Sequence, residues 1–344
     1  MSDRQVAKAV VLDAGARYGR HPSWRDFSGD LLYIACEPDA DEAERLERTE
    51  DPASVRVERV ALDRVSGART LHLLRHRGLS SFLKPDPRSE CFRRIAPELA
   101  EIEAELTVAT TTIDALARRD GLKIDFLKVD TEGTEHDVIL GAAEQIAENV
   151  LGIRSSCNFQ PCFFGQKLFS ETHDYLLSHN FVLLNLDYFG FGYPRLSLTR
   201  KPDPTLPEDV RYGTLVACDA VWVRRADWLS ERSAGQEAAI IDAAALKRAF
   251  FCLLNGAADV GLDDLRLYRQ AIGRPLDPGI RSSRLFLGLR HATARHLGRW
   301  RSLPDQQWDD ARSLFLSIFD EPLAGGSDFL PQLEAYRRAL DAAS

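Results

Sequence analysis

The sequence predicts an α/β fold: a doubly wound, mostly parallel sheet of seven strands, followed by an α-helical C-terminal extension. Three observations predict it. Seven short apolar runs recur between residues 9 and 223, separated by helix-like or loop-like stretches, as expected of strands covered by helices on both faces. Three of these runs end in acids, Asp13, Glu37 and Asp130, at the strand ends where open α/β sheets bind ligands. From about Ser233 onward the apolar spacing becomes helical.

Composition narrows the class. A chain of 344 residues can bury a full core and leaves room for one large domain, taken as 1–230, plus an extension at 231–344. Apolar residues make up 44% and charged residues 28%, ordinary values for a globular protein. A net charge of −8 argues against a general nucleic-acid binder. The first residues lack the apolar core of a signal peptide, and no apolar run approaches a membrane span. The six cysteines (36, 91, 157, 162, 218 and 252) show no C-x-x-C pair and no zinc-ligand spacing. Reduced thiols, a cytoplasmic location and no metal site are expected.

The elements follow in order. Ala9–Leu12 is the first strand, and V-V-L-D-A-G-A-R-Y-G (10–19) carries it into a turn with Gly15 and Gly19, small enough for close backbone approach to a ligand. It misses the dinucleotide fingerprint G-x-G-x-x-G, which disfavours a nicotinamide dehydrogenase. Leu31–Cys36 is the second strand. It ends in Glu37, an acid suited to ribose hydroxyls, and is stopped by Pro38. Val55–Leu62 is the third strand, with a short extra strand at Ala68–Leu74. Ile124–Val129, Val150–Ile153, Phe181–Leu186 and Leu215–Val223 complete the set. Helical patterns lie at Asp41–Arg48, Glu135–Ala147 and Ser170–His179. A proline-rich loop occupies 194–213. Beyond it, Ala238–Leu254, Asp263–Ile272, Arg281–Trp300, Asp305–Phe319 and Leu330–Ala343 read as helices.

The densest stretch is I-D-F-L-K-V-D-T-E-G-T-E-H-D-V-I-L-G-A, residues 124–142. A strand runs out at Asp130 and Glu132, Gly133 lets the chain turn, and a helical face resumes. Several of its polar residues have structural readings. Thr134 with Asp137 resembles a capping box, Glu135 in the first helical turn suits the helix dipole, His136 can simply be a surface residue, and Lys128 can bridge acids. His173 opens the helix capped by Ser170.

Taken together, these segments resemble the Class I, Rossmann-like S-adenosylmethionine (SAM)-dependent methyltransferases, and within them the FkbM family. The resemblance runs from about Ala9 to Arg225. D-A-G-A-R-Y-G is similar to that family's D-x-G-A-x-x-G loop, A-C-E-P to its second-strand acid, and A-L-D-R-V-S-G-A-R-T-L-H-L to its third-strand segment. G-L-S-S-F-L matches an S-S-L element. D-F-L-K-V-D-T-E-G-T-E-H-D-V-I-L-G-A is close to the hallmark D-F-(L/I)-K-I-D-V-E-G-x-E-x-x-V-L-x-G-A. F-F-G-Q-K-L-F-S and A-C-D-A-V-W-V-R-R resemble its downstream segments.

The resemblance implies SAM as cofactor and methylation of a hydroxyl on a sugar, glycan or secondary metabolite, as in polysaccharide or natural-product biosynthesis. Asp13, Gly15 and Gly19 would line the methionine end, with Arg17 and Tyr18 on the same loop. Glu37 would hold the ribose, Asp63 would lie near the adenine, and Ser80 and Ser81 would lie close to the cofactor. Asp130 would sit beside the transferred methyl group. A hydroxyl acceptor needs a general base, and the candidates are Asp130, Glu132, His136 and, further off, His173. The expected partner is a small-molecule or glycan substrate, with a homo-oligomer left open.

The chain also departs from the pattern. In L-G-I-R-S-S-C-N-F-Q-P, a segment where relatives often carry acidic residues, this chain has Ser155, Ser156 and Asn158. This motivates an alternative: a SAM-binding module with altered chemistry that acts as a scaffold or partner-binding protein through its helical extension. The stretch 281–301 holds six arginines, two histidines and no acid. It suits either an anionic substrate or a helical surface paired with the acids of 305–321.

Overall fold

Asp13, Lys128 and their strand neighbours belong to two apolar runs that pair in parallel, and the sheet grows outward from that pair. The computed structural model describes residues 6–24, 27, 29–89, 92, 97–187, 195–196, 214–232, 236–299 and 305–343. Two compact units divide the chain. One comprises Val10–Arg20 and Tyr33–Trp222; the other comprises Met1–Ala9, His21–Leu32 and Val223–Ser344.

In the first unit the strands are β1 (Ala9–Ala14), β2 (Leu31–Cys36), β3 (Val55–Glu58), β4 (Ala61–Leu62), β5 (Gly67–Leu74), β6 (Ile102–Thr111), β7 (Phe126–Val129), β8 (Gly152–Asn158), β9 (Phe181–Asp187), β10 (Arg195–Leu196), β11 (Thr214–Leu215) and β12 (Ala217–Arg224). Seven of them form one sheet in the order β3-β2-β1-β7-β8-β12-β9. All seven expected runs contribute a strand to it. β7 is buried throughout and β1 nearly so, as strands covered on both faces must be. The order reverses between β1 and β7, which makes that junction the switch point where such sheets open a ligand crevice.

Two expectations are corrected here. The pairs β2–β3, β1–β7 and β7–β8 are parallel, but the sheet as a whole is mixed rather than mostly parallel. β12 enters between β8 and β9, out of chain order, after an antiparallel β10–β11 pair. The expected third strand, Val55–Leu62, is broken at Arg59–Val60. Its first half, β3, stays in the large sheet, while its second half, β4, joins a three-stranded sheet β4-β6-β5. β6 was not read from the sequence: residues 101–107 are exposed, so that stretch has no buried face to mark a strand.

The helices of this unit are α1 (Ala40–Thr49), α2 (Ile113–Asp120), α3 (Glu135–Leu140), α4 (Ala143–Glu148) and α5 (Phe169–Ser178). The single helix expected at Glu135–Ala147 is two. The buried Asp114 carboxylate accepts from the Glu144 and Gln145 amides at 2.9 and 3.0 Å and so begins a second helix.

The other unit holds α6 (Ala226–Arg232), α7 (Ala238–Leu254), α8 (Ala258–Ile272), α9 (Pro278–Arg281), α10 (Arg284–Leu297), α11 (Asp305–Phe319) and α12 (Phe329–Ala342). α7 is apolar nearly all round and is accordingly buried. Its one acid, Asp242, is fully buried and accepts from Tyr268 Oη at 2.6 Å, from the Arg274 guanidinium at 2.9 and 3.0 Å and from the Asp277 amide at 2.7 Å. Of the loop 194–213 only residues 195–196 are described; Cys91 and the end of the basic stretch, 300–301, lie outside the described residues. Among the described residues no helix is long and apolar enough to cross a membrane.

Candidate active site

Where β1 and β7 end side by side, the two chains approach closely. Asp130 donates its amide to Ala14 O at 2.9 Å. Gly15 follows at φ +83°, and a Cβ there would lie 1.9 Å from Asp130 O, so only glycine permits this approach. The acidic turn then leaves the sheet edge. Glu132 adopts φ +54° and Gly133 φ +102°. Ser81 Oγ donates to Glu132 O at 2.6 Å. The buried Glu135 carboxylate accepts from the Thr131 amide at 2.9 Å and the Gly133 amide at 3.0 Å. Burial pushes the Glu135 carboxyl up to about 7 even against these bonds.

A row of charges crosses the sheet just below. Asp13 faces Lys128 in the β1–β7 register, and Lys128 faces Arg154 in the β7–β8 register. Asp13 is fully buried. Tyr33 Oη donates to its Oδ2 at 2.5 Å, and Lys128 Nζ lies 3.1 Å from its Oδ1. The same ammonium is 3.5 Å from Asp130 Oδ2 and donates to Gly15 O at 3.2 Å. Burial works to discharge Lys128, but Asp13 and Asp130 outweigh it and hold the ammonium charged. Arg154 pairs with Asp219 on β12, Nε at 2.9 Å, and with Asp187 at the end of β9, Nη2 at 2.5 Å. Burial raises the Asp219 carboxyl to about 6; Arg154 opposes the rise and the charge of Asp130 adds to it.

Above the switch point lies a cavity of about 450 Å³, within the range of small-molecule sites, roughly 300–1,000 Å³. Gly15, Glu37, Asp130 and Glu132 line it from the strand ends, and Leu62, Leu71 and Phe82 supply an apolar wall. Burial lifts the Glu37 carboxyl to about 7. The Asp39 amide donates to Glu37 Oε1 at 2.9 Å, and Arg17 Nη2 stands 3.9 Å from it while donating to Asp39 Oδ2 at 2.6 Å. Tyr18 is 77% exposed and reaches the opposite wall, where a Cβ on Gly78 would meet its Oη at 2.4 Å.

Of the residues singled out from sequence, Gly15, Arg17, Tyr18, Glu37, Ser80, Asp130 and Glu132 line this one cavity. Ser80 does so with its hydroxyl accepting from the Leu74 amide at 3.2 Å. The others lie elsewhere. Asp13 is consumed by Tyr33 and Lys128 beneath the floor. Gly19, at φ +81°, packs against Glu50. Asp63 is buried, with Arg69 Nη1 on one oxygen at 2.9 Å and the Arg64 amide on the other at 2.8 Å, so it has little to offer a ligand. Ser81 is a strut beneath the turn. His136 does not line the cavity; its side chain is directed toward α5. Its Nδ1 lies 3.2 Å from Thr172 Oγ1 on α5, its ring packs edge-on to Tyr175, and burial lowers its pKa. His173 accepts from Trp222 Nε1 at 3.1 Å and stacks on Phe169. Asn158 accepts from Gln166 Nε2 at 2.9 Å and so helps order the loop after β8.

The sequence reading missed the apolar wall from β4 and β5, the turn at Arg77–Leu79 and the part played by Glu135. Its acid three residues after Glu132 was the one available signal for the last of these.

Residues 13–183 match the methyltransferase FkbM domain, a span that holds the glycine loop, Glu37, the acidic turn and the charge row up to Arg154. No curated protein and no solved structure matches the chain significantly. On this match the chain carries a methyltransferase domain and belongs to the FkbM methyltransferase family.

Proposed function

We propose that this methyltransferase uses SAM and transfers its methyl group to a hydroxyl of a sugar, glycan or secondary metabolite. One observation carries the cofactor reading. Asp130 lines the cavity, yet its buried Oδ1 has no hydrogen-bond partner within the chain. That oxygen is out of reach of solvent, so its charge favours a cation close by in the cavity rather than a direct hydrogen bond. The surroundings suit a cation: Asp13 and Asp130 share a single ammonium, Lys128, which leaves one negative charge over. At another part of the same cavity, Glu37 offers a carboxylate to a diol.

When bound, SAM supplies an electrophilic methyl group on a cationic sulfur. The chain's own residues do the rest. Glu37 accepts ribose hydroxyls, the Gly15 backbone lets the cofactor lie close to β1, and Asp130 stabilises the positive end. Methyl transfer is an in-line displacement, so alignment of the acceptor supplies most of the rate. Glu132 is the carboxylate we assign to receive the acceptor's proton. The hydroxyl acceptor and its class follow from the family resemblance. A cytoplasmic location with reduced thiols is part of the same reading.

A second reading, a cofactor-binding module without transfer, draws on Ser155, Ser156 and Asn158, which put no carboxylate on the last turns of β8. Calorimetry with SAM and S-adenosylhomocysteine tests the core. Binding of neither at millimolar concentration sinks it. Transfer of labelled methyl from SAM into an extract of the source organism, lost in Asp130→Ala, decides between the two readings.

A further inference from the structure

Glu132 holds a backbone conformation, φ +54°, that residues with a Cβ rarely adopt. Such conformations persist only where neighbours over-determine them, and they cluster at functional sites. Here the turn is clamped on both sides of that residue. Its carbonyl accepts from Ser81 Oγ at 2.6 Å, a hydroxyl anchored in turn by the Leu83 amide at 3.0 Å. The amides before and after it, Thr131 and Gly133, both donate to one buried carboxylate, Glu135, at 2.9 and 3.0 Å. Behind the turn, Phe163 lies 3.0 Å from where a Gly133 Cβ would be, so the turn cannot sink away from the cavity.

Neither Ser81 nor Glu135 lines the cavity, whereas Asp130, Thr131, Glu132 and Thr134 all do. The clamps therefore act on a ligand only through the turn. What the turn brings to the cavity is negative charge: the Asp130 carboxylate and, two residues on, Glu132. Small displacements of such groups matter most to a ligand whose charge lies beside them, because the interaction is stronger where water is excluded.

We infer that Ser81 and Glu135 are positioning residues that fix the acidic turn for a cationic ligand centre, so that it discriminates the sulfonium of SAM from the neutral thioether of S-adenosylhomocysteine. This rests on the SAM reading above. The two ligands share every group except the methyl and its charge, so their ratio of affinities isolates the turn from the rest of the cavity.

The test needs no acceptor. Both ligands are titrated calorimetrically into the full-length protein, its Ser81→Ala variant and its Glu135→Gln variant. Both amides donate to Oε1, and the Gly133 amide also to Oε2 at 3.0 Å, so the glutamine keeps the size of the side chain but sets its amide nitrogen, a donor, against the Gly133 N–H. The expected result is a three- to tenfold weaker affinity for SAM in each variant, with S-adenosylhomocysteine affinity changed less than twofold. Amide hydrogen exchange at Thr131 and Gly133 is expected to quicken in both. An unchanged affinity ratio, or a parallel loss of both ligands, overturns the positioning role while leaving the SAM reading intact. If Glu135→Gln does not fold, Ser81→Ala carries the same decision. Failure of the unaltered protein to bind either ligand overturns the SAM reading itself, and this inference with it.

Discussion

Lys128 and Asp13 pair across neighbouring strands, Nζ 3.1 Å from Oδ1, at a position where the carboxylate is fully buried and its other oxygen is held by Tyr33. The strand register that aligns them also brings the ammonium to 3.5 Å from Asp130. One lysine thus serves a structural acid below the cavity floor and a ligand-facing acid above it. Lys128→Met strands a buried carboxylate, and breaking such a pair costs about 3–5 kcal/mol. Urea unfolding is expected to register that loss, and the double variant with Asp13→Asn to recover part of it.

Gly15 makes the switch point possible. Gly15→Ala places a methyl group 1.9 Å from Asp130 O in a backbone region that disfavours any side chain. Strain of this kind costs on the order of 1–3 kcal/mol. Because β1 and β7 must part to relieve it, S-adenosylhomocysteine affinity is expected to fall more than tenfold. Calorimetry on the folded fraction checks this, and near-normal binding would count against the floor described above.

Glu37 gives the site a pH dependence. Burial lifts its carboxyl from 4.5 to about 7, with Arg17 and the Asp39 amide pulling the other way. The native state therefore binds a proton more readily than the unfolded chain between those values. This group's share of stability is full below 4.5 and is lost as pH rises to about 7. Hydroxyl binding follows the opposite slope, since the ionised form is the better acceptor. Affinity for S-adenosylhomocysteine is expected to rise about tenfold between pH 6 and 8, the change in ionised fraction for a carboxyl near 7. Glu37→Gln is expected to bind weakly and to flatten the profile.

His136 offers a contrasting expectation. Its ring is engaged with Thr172 and Tyr175 on α5 rather than with the cavity. His136→Ala is expected to keep labelled methyl transfer within about threefold and to cost about 1 kcal/mol of stability from lost packing. A loss of transfer above a hundredfold with unchanged melting would restore it as the base.

Much of this was legible in the chain alone. Asp13, Glu37 and Asp130 each end an apolar run at one edge of the sheet, so the acids could be read as neighbours; Glu37 and Asp130 line the cavity and Asp13 lies beneath its floor. Gly15 and Gly133 marked the turns, because positive φ is a local property of a residue. The central strands were legible because their burial leaves continuous apolar runs.

Other features are set by contacts far apart in sequence. β6 carries little apolar signal, yet its pairing with β5 and β4 frames the wall of Leu62 and Leu71. Asp63 looked ready for a ligand until Arg69 and the Arg64 amide took both oxygens. Ser81 lies 51 residues from the carbonyl it holds. The sequence by itself determined which residues end strands and turn. Only the tertiary structure decided which of those polar groups face the cavity and which are consumed beneath it. Strand and turn preferences are local energies, whereas the partner of a buried charge is settled by strand register and by the cost of leaving that charge unpaired.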